Sequence, residues 1–231
     1  MDISDKTFVV VGTGKSGVAA AELLLRHAKK VYLYDGNEAL DVAAFRKQHQ
    51  SLKAVELILG TLPAQIEATL DIAVLSPGVP LDIPVVEQMK AQGICIWGEI
   101  ELAYVLGKGK VVAITGTNGK TTTTTLVGQI MARHFAKVQI VGNIGIPYTS
   151  VVEDTTEDTV VVAEISSFQL ETIQTFAPKA AAILNITPDH LNRHHTMENY
   201  IAAKESIVKN QSKEDVCVLN YNDEVLRDFG K

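Results

Sequence analysis

Short apolar runs alternate with helix-like segments along this chain, and that alternation constrains its fold more than any other feature. A strand-helix-strand pattern of this kind predicts parallel sheets covered by helices. The runs form two consecutive series. We therefore expect an α/β protein in which a Rossmann-like parallel-sheet domain is followed by a P-loop ATPase-type α/β domain, the second of them incomplete.

The two series are separated by Gly107-Lys108-Gly109-Lys110, where small and charged residues interrupt the pattern. We place a domain boundary there, which gives domains 1–107 and 108–231. A length of 231 residues with 46% hydrophobic content is enough for two buried cores. The predicted strands are 8–11, 31–34, 72–75 and 94–96 in the first series, and 111–114, 138–141, 160–163, 180–184 and 216–219 in the second, with helices at 17–27, 84–92, 121–134 and 197–210.

Charge and composition exclude several classes of protein. The net charge is −6 and the 21 Lys and Arg residues are scattered, so we expect no nucleic-acid partner. No apolar run approaches the ~20 residues that cross a bilayer, so we expect no membrane partner. Met1–Lys6 has the character of neither a signal nor a transit peptide, and a cytoplasmic location is the default. Cys95 and Cys217 are interpreted as small core residues.

A glycine-rich loop follows the predicted strand 111–114 and precedes a predicted helix. Such a loop wraps a phosphate, the helix N-terminus offers free N–H groups, a lysine adds positive charge and a threonine hydroxyl can bind Mg²⁺. The loop departs from the general P-loop pattern because Ile114 stands where glycine is expected. A turn with a solvated lysine is the simpler alternative. The candidate nucleoside-triphosphate-binding residues are Gly116, Thr117, Asn118, Gly119, Lys120, Thr121 and Thr122.

The first series opens with a dinucleotide-binding fingerprint, residues 12–17, and Asp35 ends the next strand. Glycines there permit a tight turn and close approach of a diphosphate, and a carboxylate can bind ribose hydroxyls. Taken alone, this pattern predicts NAD. A second turn, 76–80, follows strand 72–75 at the same predicted sheet edge and contains Gly78, although a Pro-Gly turn is also ordinary punctuation.

Three further residues are candidates in the second series. Glu164 ends an apolar strand where phosphate-loop enzymes present an acid to Mg²⁺, and a carboxylate facing water is the alternative. His190 lies in a polar loop after the next strand and could bind a metal or a phosphate, although a lone loop histidine often does neither. Lys204 lies within a helical segment and, on local evidence, is a solvated lysine.

Four segments together resemble the Mur ligase family. They are residues 116–122 (GTNGKTT), 142–147 (GNIGIP), 164–171 (EISSFQLE) and 185–191 (NITPDHL). The Ser-Ser-Phe-Gln run, 166–169, is similar to members that add D-glutamate rather than another amino acid. The resemblance covers the whole chain.

The resemblance implies an ATP-dependent amide ligase of peptidoglycan precursor synthesis that adds D-glutamate to UDP-N-acetylmuramoyl-L-alanine through an acyl phosphate. Lys120, Glu164, His190 and Lys204 would be its catalytic residues. One Mg²⁺ would be held by Thr121 and Glu164, and a second by Glu164, His190 and a carbamylated Lys204. The UDP substrate would contact Gly14, Lys15, Ser16, Asp35, Gly36, Asn37 and Gly78, with Asn143 reaching it from the second domain. Asn192 departs from the aspartate of the family pattern.

Family members have a third domain that binds D-glutamate, and the chain stops at Lys231. From this we expect the third domain to be absent, the central domain truncated, and the chain inactive by itself, with a monomer as the default. Two other functions stay open at this point: an NAD-dependent oxidoreductase and a nucleotide-binding module without chemistry.

Overall fold

The computed structural model describes residues 1–143 and 145–231; Ile144, within the resemblance segment 142–147, lies outside them. The chain folds as two compact units, Met1–Leu102 and Ala103–Lys231. Each unit contains a five-stranded sheet whose pairings are all parallel. The predicted α/β class is confirmed, while a boundary after residue 107 stays a prediction.

The first unit has the strand order β3-β2-β1-β4-β5, a doubly wound arrangement of the Rossmann type. Its strands are β1 (Thr7–Val11), β2 (Lys30–Asp35), β3 (Glu56–Leu59), β4 (Ile72–Leu75) and β5 (Cys95–Gly98). Its helices are α1 (Lys15–His27), α2 (Val42–Gln48), α3 (Ala64–Glu67), α4 (Pro84–Ala91) and α5 (Glu99–Leu106), the last of which runs into the second unit.

β1 lies at the centre of this sheet and every one of its residues is buried. A strand covered on both faces needs a continuous apolar sequence rather than an alternating one, which explains the run Phe8–Val11. Leu23 and Leu24 of α1 are also fully buried. The core therefore fixes both ends of the turn between β1 and α1.

The second unit has the order β10-β9-β6-β8-β7. Its strands are β6 (Lys110–Thr115), β7 (Val138–Gly142), β8 (Val160–Glu164), β9 (Ala180–Ile183) and β10 (Val216–Leu219). Its helices are α6 (Lys120–Met131), α7 (Ser167–Leu170), α8 (Leu191–His194), α9 (Met197–Glu205) and α10 (Glu224–Phe229). Strand order reverses on either side of β6, and ligands of open parallel sheets bind at the carboxyl ends of the strands at such a point.

Several predicted elements need correction. The helix predicted over 197–210 ends at Glu205 and continues as a 3₁₀ turn, Ser206–Val208. The prediction that both cysteines lie in the core is wrong, since Cys95 is exposed and Cys217 half-buried. Both belong to the edge strands β5 and β10, which neighbours cover on one side only. Over residues 1–143 and 145–231, none of the helices has the length and apolar character of a membrane span.

Candidate functional site

The loop between β6 and α6 contains two glycines with positive φ and leads directly into the helix. Gly116 has φ +149° and Gly119 has φ +82°, a region that side chains disfavour. A Cβ atom on Gly116 would also lie 3.0 Å from Leu184 Cβ. α6 begins at Lys120, so the first unbonded N–H groups of the helix adjoin the loop. Glycine is therefore required at these turns, as the sequence pattern predicts.

Asn185, in the loop after β9, holds this turn in place. Thr117 N donates to Asn185 O over 2.9 Å, and Asn118 N donates to Asn185 Oδ1 over 2.8 Å. In return, Asn185 Nδ2 donates to Asn118 O over 3.0 Å. One asparagine thus satisfies three polar groups of the loop, a role that its position in the sequence alone does not reveal.

Two lysine ammonium groups converge on a single carbonyl oxygen of the loop. Lys120 Nζ donates to Gly116 O over 3.0 Å and to Thr117 O over 2.9 Å. Lys204 Nζ donates to the same Gly116 O over 2.8 Å. The local interpretation of Lys204 as a solvated residue is wrong, because it is only 2% exposed. Burial, followed by the charge of Lys120, lowers the pKa of Lys204 to about 7.

Tyr200 joins α9 to the loop and was not identified from the sequence. It lies one helical turn before Lys204, whose Nζ is 4.7 Å from the Tyr200 ring centroid. Its hydroxyl is 3.0 Å from Thr117 Oγ1, and Thr117 Oγ1 also accepts from Thr187 N over 3.0 Å. Burial raises the pKa of Tyr200. Spacing of four residues along a helix is the signal that could have paired it with Lys204.

Glu164 ends β8 beside the loop and is 2% exposed, so the alternative of a carboxylate facing water is wrong. It pairs in register with Ile114 of β6 and with Gly142 of β7. Asn143 Nδ2 donates to Glu164 Oε1 over 3.3 Å, and Asn143 N donates to Glu164 O over 2.8 Å. Two of the residues selected from the sequence, Asn143 and Glu164, therefore lie in direct contact.

His190 is placed by an unusual backbone and by an aromatic neighbour. It adopts the left-handed region, with φ 52°, where α8 begins, and its side chain is half exposed. Nε2 lies 3.4 Å from Asp189 Oδ2, and the ring centroid lies 4.9 Å from that of Phe168. Among the described residues, no three His, Cys, Asp or Glu side chains form a cluster that could hold a metal. Asn192 is exposed on α8.

In the first unit, the glycines of the fingerprint differ in how closely they are packed. A Cβ atom on Gly17 would lie 2.0 Å from Gly12 O, so α1 packs on the turn only because that side chain is absent. At Gly14 and Gly78, in contrast, an added Cβ would have no atom of the described residues within 4 Å, apart from those of its chain neighbours. Their backbones are open to an approaching group. Lys15 and Ser16 follow Gly14 at the N-terminus of α1.

The acidic residue of the fingerprint is engaged with the protein itself. Thr13 donates to Asp35 Oδ2 from its backbone over 2.9 Å and from its hydroxyl over 2.6 Å. Asn37 N donates to Asp35 Oδ1 over 3.0 Å. Burial raises the pKa of Asp35, but these hydrogen bonds outweigh it and lower the pKa below its usual value of 3.8. Lys15 lines a cavity of about 620 Å³, and Gly36 lines another of about 380 Å³.

Asp35 should make the stability of the first unit depend on pH. Because its folded-state pKa is lowered, its contribution is present above about pH 3.8 and is lost as the pH falls through the folded value. We expect Asp35→Asn to cost about 1 kcal/mol of unfolding free energy at pH 7 and less at pH 3. Urea unfolding at both pH values measures this. Asp5→Asn, at an exposed aspartate, is the control, and an equal cost at the two pH values would contradict the assignment.

The sequence pattern of the Mur ligase middle domain matches residues 114–231, and that of the "Mur ligase MurD-like, N-terminal domain" matches residues 6–98. The chain belongs to the Mur ligase family. The second match begins at Ile114, within β6 and just before the glycine loop.

Curated relatives of this Mur ligase chain share about half of its residues. A protein of Lachnoclostridium phytofermentans is 55% identical over 98% of this chain and 50% of its own length. One of Lachnospira eligens is 56% identical over 99% of this chain and 51% of its own. Both are named UDP-N-acetylmuramoylalanine--D-glutamate ligase. The chain spans about half the length of the curated relatives it matches.

Solved structures support the Mur ligase fold. UDP-N-acetylmuramate-alanine ligase of Thermotoga maritima has a TM-score of 0.52 at 23% identity, covering 95% of this chain and 50% of that one. UDP-N-acetylmuramate:L-alanyl-gamma-D-glutamyl-meso-diaminopimelate ligase from Neisseria meningitides has a TM-score of 0.56 at 17% identity, covering 97% and 74%. At these identities the likeness concerns the fold alone.

Proposed function

We propose that these two domains serve an ATP-dependent amide ligase of peptidoglycan precursor synthesis, which joins D-glutamate to UDP-N-acetylmuramoyl-L-alanine. One observation carries the proposal: the Lys120 ammonium group lies against Gly116 O and Thr117 O, in a glycine loop that ends at the N-terminus of α6. Positive charge and free N–H groups at one point suit a polyphosphate. The names of the curated relatives supply the substrates.

The proposed reaction has two steps. The alanyl carboxylate of the substrate attacks the γ-phosphorus of ATP, and the bond to ADP breaks, which leaves an acyl phosphate. The amine of D-glutamate then attacks the acyl carbon, releases phosphate and loses a proton to give the amide. Two anions meet in the first step, so Lys120 and the N–H groups of the first turn of α6, residues 120–122, neutralise the phosphates and the developing charge. The main task of the protein's own residues is therefore to bind ATP and the substrates and to orient the reacting groups.

The residues present fit one Mg²⁺ ion. Thr121 is exposed in the first turn of α6, and Glu164 ends the strand next to β6. Mg²⁺ is commonly held by one or two oxygen side chains together with substrate phosphates. When bound, it neutralises and orients the transferred phosphoryl group. Thr121 and Glu164 are the proposed protein ligands.

A second ion requires a chemical change in Lys204. As an ammonium group, Lys204 donates to Gly116 O and cannot bind a cation. Carbamylation would convert the amine into an anion, and Glu164 and His190 would be the other proposed ligands. Burial favours the uncharged amine that adds to CO₂, which supports this modification.

Carbamylation can be tested without any assay of ligation. We expect the chain in ¹³C-bicarbonate at pH 8 to show a carbamate ¹³C signal that Lys204→Ala abolishes. Lys213→Ala, which removes an exposed lysine of the same unit, should leave the signal unchanged. A spectrum of the folded wild-type chain without this signal would contradict the modification.

The first unit is the proposed binding site for the uridine diphosphate. Gly14, Lys15 and Ser16 would receive the diphosphate, since the backbone at Gly14 is open and α1 begins there. Gly36 and Asn37 would lie near the uridine, with Asp35 holding their loop. Gly78, also open, is the remaining proposed contact in this unit, and a contact of Asn143 with the substrate stays a prediction.

Calorimetric titration with ATP, UDP-N-acetylmuramoyl-L-alanine and NADH separates the three functions considered. The ligase predicts binding of the first two ligands and none of NADH. Binding of NADH would support an oxidoreductase. Binding of ATP alone, with no phosphate release that depends on D-glutamate in the whole protein, would support a module without chemistry.

A further inference from the structure

A buried histidine outside the proposed ligand set ties two helices together. His194 ends α8 and is 4% exposed. Its Nδ1 lies 3.2 Å from Glu171 Oε1, and its Nε2 lies 2.9 Å from Ser167 Oγ. Ser167 begins α7 and Glu171 follows its end. One imidazole therefore bridges both ends of α7.

The two partners fix the tautomer of this ring. A carboxylate such as Glu171 only accepts hydrogen bonds, so Nδ1 carries the proton. Burial, followed by the charge of Arg193 and then those of His190, Lys204 and His195, lowers the pKa of His194 to about 4. The ring is thus neutral near pH 7. Its bare Nε2 then accepts from the Ser167 hydroxyl.

The order Ser167, His194 and Glu171 matches that of a hydrolytic triad, but its surroundings exclude that chemistry. Ser167 is 2% exposed and His194 is 4% exposed. A nucleophilic serine must meet a substrate carbonyl, and this hydroxyl is covered by protein. These three side chains therefore stabilise the packing of α7 against α8 and do not attack a substrate.

The His194 ring contacts two aromatic residues, Phe168 and Tyr200, which in turn contact residues of the proposed site. The Phe168 ring stacks on His194 at 5.4 Å and lies 4.9 Å from His190. The Tyr200 ring lies 5.1 Å from that of His194, and the Tyr200 hydroxyl lies 3.0 Å from Thr117 Oγ1. His194 is the residue that these two chains of contact share.

We propose that His194 is a positioning residue, which sets Thr117 of the phosphate loop through Tyr200 and sets His190 through Phe168. The arrangement requires both hydrogen bonds of the imidazole, because each fixes one edge of the ring. Its effect on nucleotide binding rests on the function proposed above. Its effect on the conformation of the loop does not.

The decisive variant is His194→Phe, which keeps an aromatic ring between Phe168 and Tyr200 but removes both hydrogen bonds. Tyr200→Phe separately removes the link to Thr117. His134→Phe changes an exposed histidine of the same unit, whose described ring neighbour is Phe135, and serves as the control.

The first measurement needs no ligand. Imidazole ¹⁵N resonances of His194 should show a protonated Nδ1 and a bare Nε2 at pH 7. The backbone amide resonances of Thr117 and Asn118 should shift in His194→Phe and in Tyr200→Phe, and should not shift in His134→Phe. The opposite tautomer, or unshifted loop resonances in a folded His194→Phe, would overturn the proposal.

The second measurement is the affinity for ATP with Mg²⁺. His194→Phe should bind about tenfold more weakly, because part of the binding free energy would then be used to order the loop. The double variant with Tyr200→Phe should lose less than the product of the two single losses, because both act on Thr117. If the loss of ATP affinity in the double variant equalled the product of the two single losses, the proposal would be overturned. If the wild-type chain binds no ATP, the proposed function fails, while the ligand-free spectra still decide the role of His194.

If His194→Phe does not fold, Ser167→Ala provides the test. It removes one hydrogen bond with little change in volume, and the ¹⁵N resonance of Nε2 should then move while Thr117 shifts by less than in Tyr200→Phe. A folded Ser167→Ala variant in which neither resonance moves would overturn the proposal.

Discussion

Lys120→Ala should bind ATP about 100-fold more weakly, a loss of about 2.7 kcal/mol, and should bind UDP-N-acetylmuramoyl-L-alanine with unchanged affinity. Lys120 Nζ already lies against the carbonyls of Gly116 and Thr117, where the phosphates are proposed to bind. The UDP group is assigned to the other unit. Calorimetry with each ligand gives both affinities.

Lys213→Ala is the matched control, because it removes an exposed lysine of the same unit without touching the loop. Lys120→Met, which retains most of the side-chain stem, should match Lys120→Ala if charge is what matters. If a folded Lys120→Ala variant lost equal affinity for both ligands, the assignment of the two sites would be contradicted.

Gly142→Ala should destabilise the second unit by about 3 kcal/mol or more. Gly142 ends β7 with φ +119°, and an added Cβ would lie 2.0 Å from Glu164 O. The clash is with backbone, so no side-chain rotation can relieve it. β7 would have to separate from β8 at the position where Glu164 leaves the sheet. Urea unfolding of the variant and of the wild type measures the loss.

Gly145→Ala separates the two causes of this loss. Gly145 also has a positive φ, +90°, but among the described residues beyond its chain neighbours no atom lies within 4 Å of an added Cβ. It should therefore cost only the backbone strain, about 1 kcal/mol. Similar losses in the two variants would show that the contact with Glu164 is unimportant.

The sequence predicts those parts of the molecule that depend on local chemistry. The turns at Gly12 and Gly116 need backbone conformations that favour glycine, and both were identified from spacing. Buried parallel strands such as Phe8–Val11 need continuous apolar runs, so they too were found. β3 (Glu56–Leu59) was missed because its four residues include an exposed glutamate and give too short a pattern.

Residues whose role depends on distant neighbours could not be predicted in this way. Lys204 has ordinary helical neighbours, and only the packing of α9 against Gly116 O buries its charge. Tyr200 and His194 acquire their partners from α7 and from the loop after β6, far away in sequence. Exposure of Cys95 follows from the order of strands, which spacing does not determine.

The hydrogen bonds of Asp35 disfavour ligands that need this carboxylate for their own recognition. A dinucleotide that held both of its ribose hydroxyls with this carboxylate would have to displace a hydrogen bond, because Thr13 and Asn37 already occupy three of its about four acceptor positions. Each displaced bond weighs against such a ligand by about 1 kcal/mol. Discrimination of this kind needs no steric barrier. It arises from competition for the Asp35 carboxylate, to which the turn of the protein itself is already hydrogen-bonded.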